Sequence, residues 1–485
     1  MGFMIRILNS LLVSLVVSIA VNVSVAEDAS IPDLKNRREL FVDDFLIESL
    51  NGLELRLHEP LREGPAFAFD NSWEGRFSAY PTIIKDGDLY RMYYRGLPDV
   101  EKSTVAVTCY AESTDGIHWS KPNLGLYEIH GARDNNVVLA LDNKYSRSFS
   151  PLLDTRPGVP PERRFKAITG VEGKGLAAFV SADGIHWKLW RKEFIFTQGL
   201  FDSHNVAFWS ASEGQYVCYF RTWTGDGFSG FRTISRTTSK DFLNWTDPVA
   251  MDFGDTPMEH LYTNGTQPYF RAPHIYIALA KRFFPKKAAL ENSVSQALVD
   301  NPKHAIASSD SIFMSTRGSN RYDRTFMEAF IRPGDSLLDW VARDNTPALG
   351  LAEGNGRKLY LYRMSHYAQS SAHLDRYSLR LDGFVSVHAA YDGGELITKP
   401  FRFEGEELEI NYESSAAGEL RVELQDLEGN PIPGYGAKAC IPIFGNEIER
   451  IVKWEDGSDV SALVGKPIRM RIVMSDADLY SFRFR

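Results

Sequence analysis

The chain has 485 residues, 44% of them hydrophobic and 24% charged, and a formal net charge of −9. That length exceeds one ordinary domain, and the composition excludes a disordered chain. The acidic balance argues against a nucleic-acid partner, which requires a basic face, yet leaves room for a local basic cleft facing an anionic substrate.

Residues 1–26 read as a signal peptide. Arg6 is their single charge, an apolar run follows from Ile7 to Ala26, and Ser24 and Ala26 have the small-residue spacing that a signal peptidase accepts. The mature chain is therefore expected outside the cytoplasm, secreted or periplasmic, with no membrane span after signal removal. Cys109, Cys218 and Cys440 are the three cysteines. They lack metal-ligand spacing and are expected to be small buried apolar residues. No metal and no cofactor is expected.

Beyond the leader, short apolar or alternating runs predict strands. Leu89–Arg95 follows the turn Lys85-Asp86-Gly87-Asp88, and Tyr216–Thr222 follows Ser212-Glu213-Gly214. A hairpin element recurs between such runs. Ser113-Thr114-Asp115-Gly116-Ile117-His118-Trp119 matches Ser181-Ala182-Asp183-Gly184-Ile185-His186-Trp187, and Ser239-Lys240-Asp241-Phe242-Leu243-Asn244-Trp245 is a degenerate third copy. Ser and Asp side chains bind the backbone of a tight turn, Gly relieves its dihedral strain, and Trp packs the turn on a neighbouring sheet. The element is expected to build the fold rather than catalyse. Residues 286–300 predict a short inserted helix or lid.

Many short strands with repeated hairpins indicate a propeller or a sandwich. Inner strands near 77–95, 148–171, 202–222, 259–283 and 308–332 give five units of about four strands each, within the range of propeller blades. After about Asp375 the pattern shifts to cleaner alternation, as in Glu419-Leu420-Arg421-Val422-Glu423-Leu424. The expected fold is all-β: a five-bladed β-propeller over 27–375 followed by a small β-sandwich over 376–485.

In a propeller the inner strands converge on one channel, so catalysis draws one acid from each of several units. Asp154, Asp202 and Glu259 each sit where an inner run opens. Paired carboxylates can split a glycosidic bond, one donating a proton to the leaving oxygen and the other activating water or attacking directly. Glu259 is assigned as general acid and Asp202 as base, nucleophile or stabiliser, with Asp154 the third acid. Glu74, His204, Arg221, His260, Arg271 and His274 lie in or beside the same runs and are candidate sugar-binding residues. Taken singly, each of these residues is better explained by a turn, a cap or a satisfied network around channel water.

Tyr80-Pro81-Thr82-Ile83 leading to Tyr90-Arg91-Met92-Tyr93-Tyr94, Asp202 opening a strand and Glu259 one unit later give residues 38–375 a resemblance to the five-bladed propeller glycosidases, the clan of invertases and arabinanases. The whole chain also resembles exported invertase-like bacterial proteins that carry a C-terminal β-sandwich. The resemblance implies three channel carboxylates and a carbohydrate substrate. It departs at Phe77-Ser78-Ala79-Tyr80-Pro81, which holds no acid at the clan's first-blade position, and no Arg-Asp-Pro signature is present. Two functions stay open: an exported glycoside hydrolase, and a propeller that holds a glycan without cleaving it. The Asp-Gly-Trp hairpin also resembles the Asp-box of sialidases, whose chemistry needs an arginine cluster beside a tyrosine; Arg271, Arg317 and Arg332 are the candidates for such a cluster.

Overall fold

The computed structural model describes residues 31–98, 106–140, 145–299, 302–341, 343–354 and 356–485. The signal-peptide expectation therefore lies outside the described residues. Two compact units are present: residues 57–384, and residues 385–485 together with residues 31–56.

The larger unit is a five-bladed propeller. The first three blades are four-stranded antiparallel meanders in chain order: Ala79–Asp86 to Val137–Leu139, Ser150–Leu153 to Lys188–Leu189, and Val206–Ser210 to Val249–Ala250. The fourth combines Leu261–Thr263, Thr266–Tyr269, Ala272–Phe284 and Ser308–Thr316. The fifth combines Thr346–Pro347, Ala352–Gly354, Lys358–Ser365 and His373–Arg380, with Leu61–Ala68 added as its outer strand. That last strand closes the ring, because it comes from the start of the propeller sequence and pairs with a strand from its end. A parallel bridge between Thr82 and Leu349 joins the inner strands of the first and fifth blades.

Two sequence expectations are corrected here. Residues 31–56 are expected with the propeller, but Glu39–Leu40 pairs with Arg469–Phe484 and Ile47–Asn51 pairs with Gly394–Thr398 in the other unit. The fifth blade was placed at 308–332, but Ser308–Thr316 is the outer strand of the fourth, and His373–Arg380, read in part as sandwich, belongs to the fifth. Alternation cannot reveal either error, since strands look alike whichever sheet receives them.

Why these residues make blades is visible in the burial. Strands such as Val107–Ser113 and Phe165–Val171 are buried on both faces, because each sheet packs against the next. Separate apolar clusters fill the gaps, for example Tyr93, Tyr110, Phe149, Phe165, Phe179 and Trp187 between the first and second blades. The repeated hairpin sits at the end of the third strand in the first three blades. Asp183 Oδ1 accepts the Ile185 and His186 amides at 2.9 and 2.8 Å, and Ser181 Oγ accepts the Gly184 amide at 2.9 Å. Asp115 and Asp241 repeat this pattern. The turn also links blades: Tyr93 of the first blade donates to the Gly184 carbonyl of the second at 2.9 Å, and Tyr362 of the fifth donates to the Gly116 carbonyl of the first. The expected structural role holds.

The smaller unit is one eight-stranded hydrogen-bonded sheet. Its two long strands, Leu408–Gln425 and Arg469–Phe484, pair along their length with a register shift between Ser414 and Glu419. Such an irregularity bends a strand, and the unit's apolar residues, among them Leu420, Val422, Met470, Ile472 and Phe482, form one buried core. The three cysteines are free and buried, as expected. The inserted segment carries the helix Asn292–Leu298. Among the described residues no helix is long and apolar enough to cross a membrane.

Candidate active site

All five blades contribute to one cavity of about 780 Å³, a size suited to a small ligand. Its wall comes from the starts of first strands and the ends of second strands, which lie at the same end of every blade. Tyr80 opens the first strand of blade one, and Arg95 ends the second. Ser148 and Gly170 hold the equivalent places in blade two, as Asp202, Arg221 and Trp223 do in blade three. Tyr262 comes from blade four, and Arg343 and Tyr367 flank the inner strands of blade five.

The backbone is bent to present two of these groups. Tyr80 and Phe201 both have positive φ, 57° and 56°, an uncommon conformation for aromatic residues. The pairing of Ala79–Asp86 with Leu89–Gly96 shifts register between Ala79 and Thr82, a bulge that turns Tyr80 towards the cavity. Phe201 precedes Asp202, and Gly170 faces it from the neighbouring blade. A Cβ on Gly170 would overlap the Phe201 carbonyl oxygen and stand 2.6 Å from Asn205 Nδ2. Only glycine allows this close approach.

Asp202, Arg221 and Tyr262 form one connected group. Arg221 Nη2 donates to Asp202 Oδ2, and its Nη1 donates to the Tyr262 carbonyl at 3.3 Å. Ser203 Oγ donates to the same carbonyl at 2.7 Å. The guanidinium of Arg221 lies 4.6 Å from the centre of the Tyr262 ring, that of Arg343 5.4 Å and that of Arg232 5.6 Å. Burial pushes the Tyr262 phenol up, but the charges of Arg343, Arg221 and Arg232 outweigh it and hold its pKa below the ordinary tyrosine value. Tyr80, partly buried nearby, is raised by desolvation and by Tyr262.

The structure separates the expected acids. Asp202 lines the cavity. Asp154 does not: it follows the far end of Ser150–Leu153, is buried, pairs with Lys166 Nζ and accepts from Tyr216 Oη at 2.6 Å. Glu259 does not line the cavity either. It opens on a separate small recess with Thr233, Phe253 and Leu261, and is held by Arg282 at 2.8 Å and Arg324 at 3.0 Å. Each acid is expected at an inner-strand opening, but Asp154 closes its strand, and Glu259 precedes Leu261–Thr263 with its side chain turned to two arginines. The second carboxylate on the cavity wall is Glu172, on the exposed turn after Phe165–Val171.

The expected binding residues divide similarly. Arg221 is in the wall. His204 is buried just behind it, 3.1 Å from Thr82 Oγ1 and beside the Tyr80 ring; burial lowers its pKa to about 3, so it is neutral. His260 accepts the Arg232 amide on Nδ1 at 3.2 Å, a supporting contact outside the wall. Glu74 is fully buried, accepting from Tyr94 Oη at 2.5 Å and pairing with Lys121 at 2.7 Å. Arg271 pairs with Asp382 at 3.1 Å, and buried His274 lies in Ala272–Phe284 away from the cavity. Of the arginines considered for a cluster, Arg271, Arg317 and Arg332 are not in the wall, and Arg332 pairs with Glu59. A different set converges there: Arg95, Arg147, Arg221, Arg232 and Arg343. Only Arg95 and Arg221 lie in strands that the sequence reading delineated. Arg147 and Arg343 sit in loops, where no periodicity marks direction. Among the described residues no cluster of metal-ligating side chains is present.

No family model matches the sequence, and no curated protein does. Solved structures similar to this chain include one described as a glycoside hydrolase, at 12% identity over 66% of this chain and 92% of that chain, with a TM-score of 0.45. A β-fructofuranosidase of glycoside hydrolase family 32 from Bombyx mori is similar at 10% identity over 87% and 94%, with a TM-score of 0.43. A glycoside hydrolase family 43 arabinoxylan arabinofuranohydrolase from Bacillus subtilis, in complex with cellotetraose, is similar at 11% identity over 86% and 97%, with a TM-score of 0.39.

Proposed function

We propose that this protein is an exported glycoside hydrolase that binds a poly- or oligosaccharide in the propeller cavity and cleaves a glycosidic bond there. The observation that carries this reading is the convergence of Asp202, Glu172, Tyr262 and further aromatic side chains on one cavity to which all five blades contribute. Glycosidic hydrolysis needs a carboxylate beside the anomeric carbon and a proton donor for the leaving oxygen. Asp202 is the carboxylate, held in place by Arg221. Glu172, on the rim, is the proton donor, a role that Glu259 cannot fill from a different recess. Tyr80, Trp223 and Tyr367 supply ring faces and polar tips for sugar binding.

A second reading, a glycan-binding propeller without turnover, is favoured by one observation. Asp202 is tied to Arg221, and the other two expected acids lie outside the cavity. The two readings part on a single assay. Purified full chain is incubated with a panel of polysaccharides, and released reducing ends are measured for wild type, D202N and E172Q. Hydrolysis requires release by wild type that falls by about 100-fold or more in D202N, as removal of a catalytic group does. Binding of a glycan with no release by wild type establishes the second reading. Release undiminished in D202N removes Asp202 from the mechanism.

A further inference from the structure

The cavity has the opposite charge to the chain. The whole sequence is acidic at −9, yet the described wall holds five arginines against two carboxylates, Asp202 and Glu172. Asp202 is already paired with Arg221. Arg95 is anchored by donating to the Phe77 carbonyl from Nε and Nη2, at 3.1 and 2.8 Å, which fixes it without neutralising it. Arg147, Arg232 and Arg343 pair with no carboxylate among the described residues. Arg232 lies 4.3 Å from the centre of the Trp223 ring, and its buried Nε has no hydrogen-bond partner among them. Burial, followed by the repulsion of Arg221 and then Arg343, pushes Arg232 down to about 10.

Like charges gathered in a partly desolvated wall are costly unless something neutralises them. A sugar hydroxyl accepts a hydrogen bond from arginine but leaves the charge in place. A carboxylate or sulfate does both, and its paired oxygens match the planar guanidinium fork. At the mouth, Phe228 is 51% exposed and stands edge-on to Trp223, with ring centres 5.9 Å apart, giving a sugar ring an apolar face.

Building on the carbohydrate reading above, we propose that the cavity selects a glycan bearing an oxyanion, a uronate carboxylate or a sulfate ester, clamped between Arg232 and Arg343 with Arg147 at the rim. The test is calorimetric titration of the full chain with three sets of oligosaccharides of equal length: oligogalacturonides, sulfated galacto-oligosaccharides and neutral galacto-oligosaccharides. One anionic set is expected to bind at least about tenfold more tightly than the neutral set, the size of one charge-assisted hydrogen bond, and the tighter set names the oxyanion. The preference shrinks when salt rises from about 0.05 M to about 0.5 M, because the Debye length falls. R232A and R343A each lose most of the preference for the anionic set, and thermal unfolding checks that they fold. R147E, at an exposed position that tolerates substitution, loses preference in the same direction and carries the test should the other two variants fail to fold. Equal affinity for neutral and anionic sets overturns this inference and leaves the carbohydrate reading standing. Binding of none of the three sets overturns both. A preference unchanged in R232A, R343A and R147E overturns the arginine clamp.

Discussion

At the scale of single residues, the site rests on groups whose protonation is set by what surrounds them. His204 shows this most simply. It is 2% exposed and contacts the Thr82 hydroxyl, and burial lowers its pKa from 6.5 to about 3. The folded protein therefore binds fewer protons at this position than the unfolded chain between those two values. Its contribution to stability is complete above pH 6.5 and is lost as pH falls from 6.5 towards about 3. The slope is one proton, about 1.4 kcal/mol per pH unit. H204Q is expected to flatten the fall of Tm between about pH 6 and pH 4 by that one proton. An unchanged slope places His204 in a more hydrated setting than the structure gives it. His204 was visible in the sequence as a polar group in an inner run, but whether it touches ligand or supports the wall depends on the turn of one side chain, which no pattern records.

At the scale of elements, the strand ends decide the site. Asp202 reaches the cavity because Phe201 adopts a positive φ and Gly170 leaves room for its carbonyl. G170A is expected to destabilise the protein by about 2 kcal/mol, since the obstruction is backbone and cannot swing away. It also displaces Asp202, so under the proposed hydrolysis glycan release falls further than the loss of folded protein accounts for. Urea unfolding and specific activity, measured together, check this; full activity at wild-type stability contradicts it. The repeated hairpin was fully legible, because Ser, Asp, Gly and Trp at fixed offsets encode a local turn whose hydrogen bonds close within seven residues. The acids were legible only in part. In the sequence the starts of the inner runs look alike, whereas Asp154 lies at the far end of Ser150–Leu153 and Glu259 is drawn off by Arg282 and Arg324. Strand direction, and which long side chain captures which acid, are tertiary facts.

At the scale of the molecule, five sheets around one axis explain how residues from Tyr80 to Tyr367 share a wall of about 780 Å³. The propeller followed from many short strands and regular turns, but its fifth blade, expected near 308–332, is built from Thr346–Pro347 to His373–Arg380. Its closure did not, because Leu61–Ala68 is added to a strand some three hundred residues later, and nothing local announces so distant a partner. The same holds for residues 31–56, whose strands pair with the C-terminal unit. Charge followed this logic too: a chain of net −9 conceals a cavity dominated by arginine, since net charge sums over surfaces that a ligand never meets.

The central claim is that sugar chemistry occurs where Asp202, Arg221 and Tyr262 meet. The most direct measurement is a crystal structure of the D202N protein soaked with an oligosaccharide that wild type binds. Sugar density is expected in the propeller cavity, with a ring within hydrogen-bond reach of residue 202 and in contact with Tyr262. Density confined to the Glu259 recess or to the C-terminal unit, with the cavity empty, would contradict it.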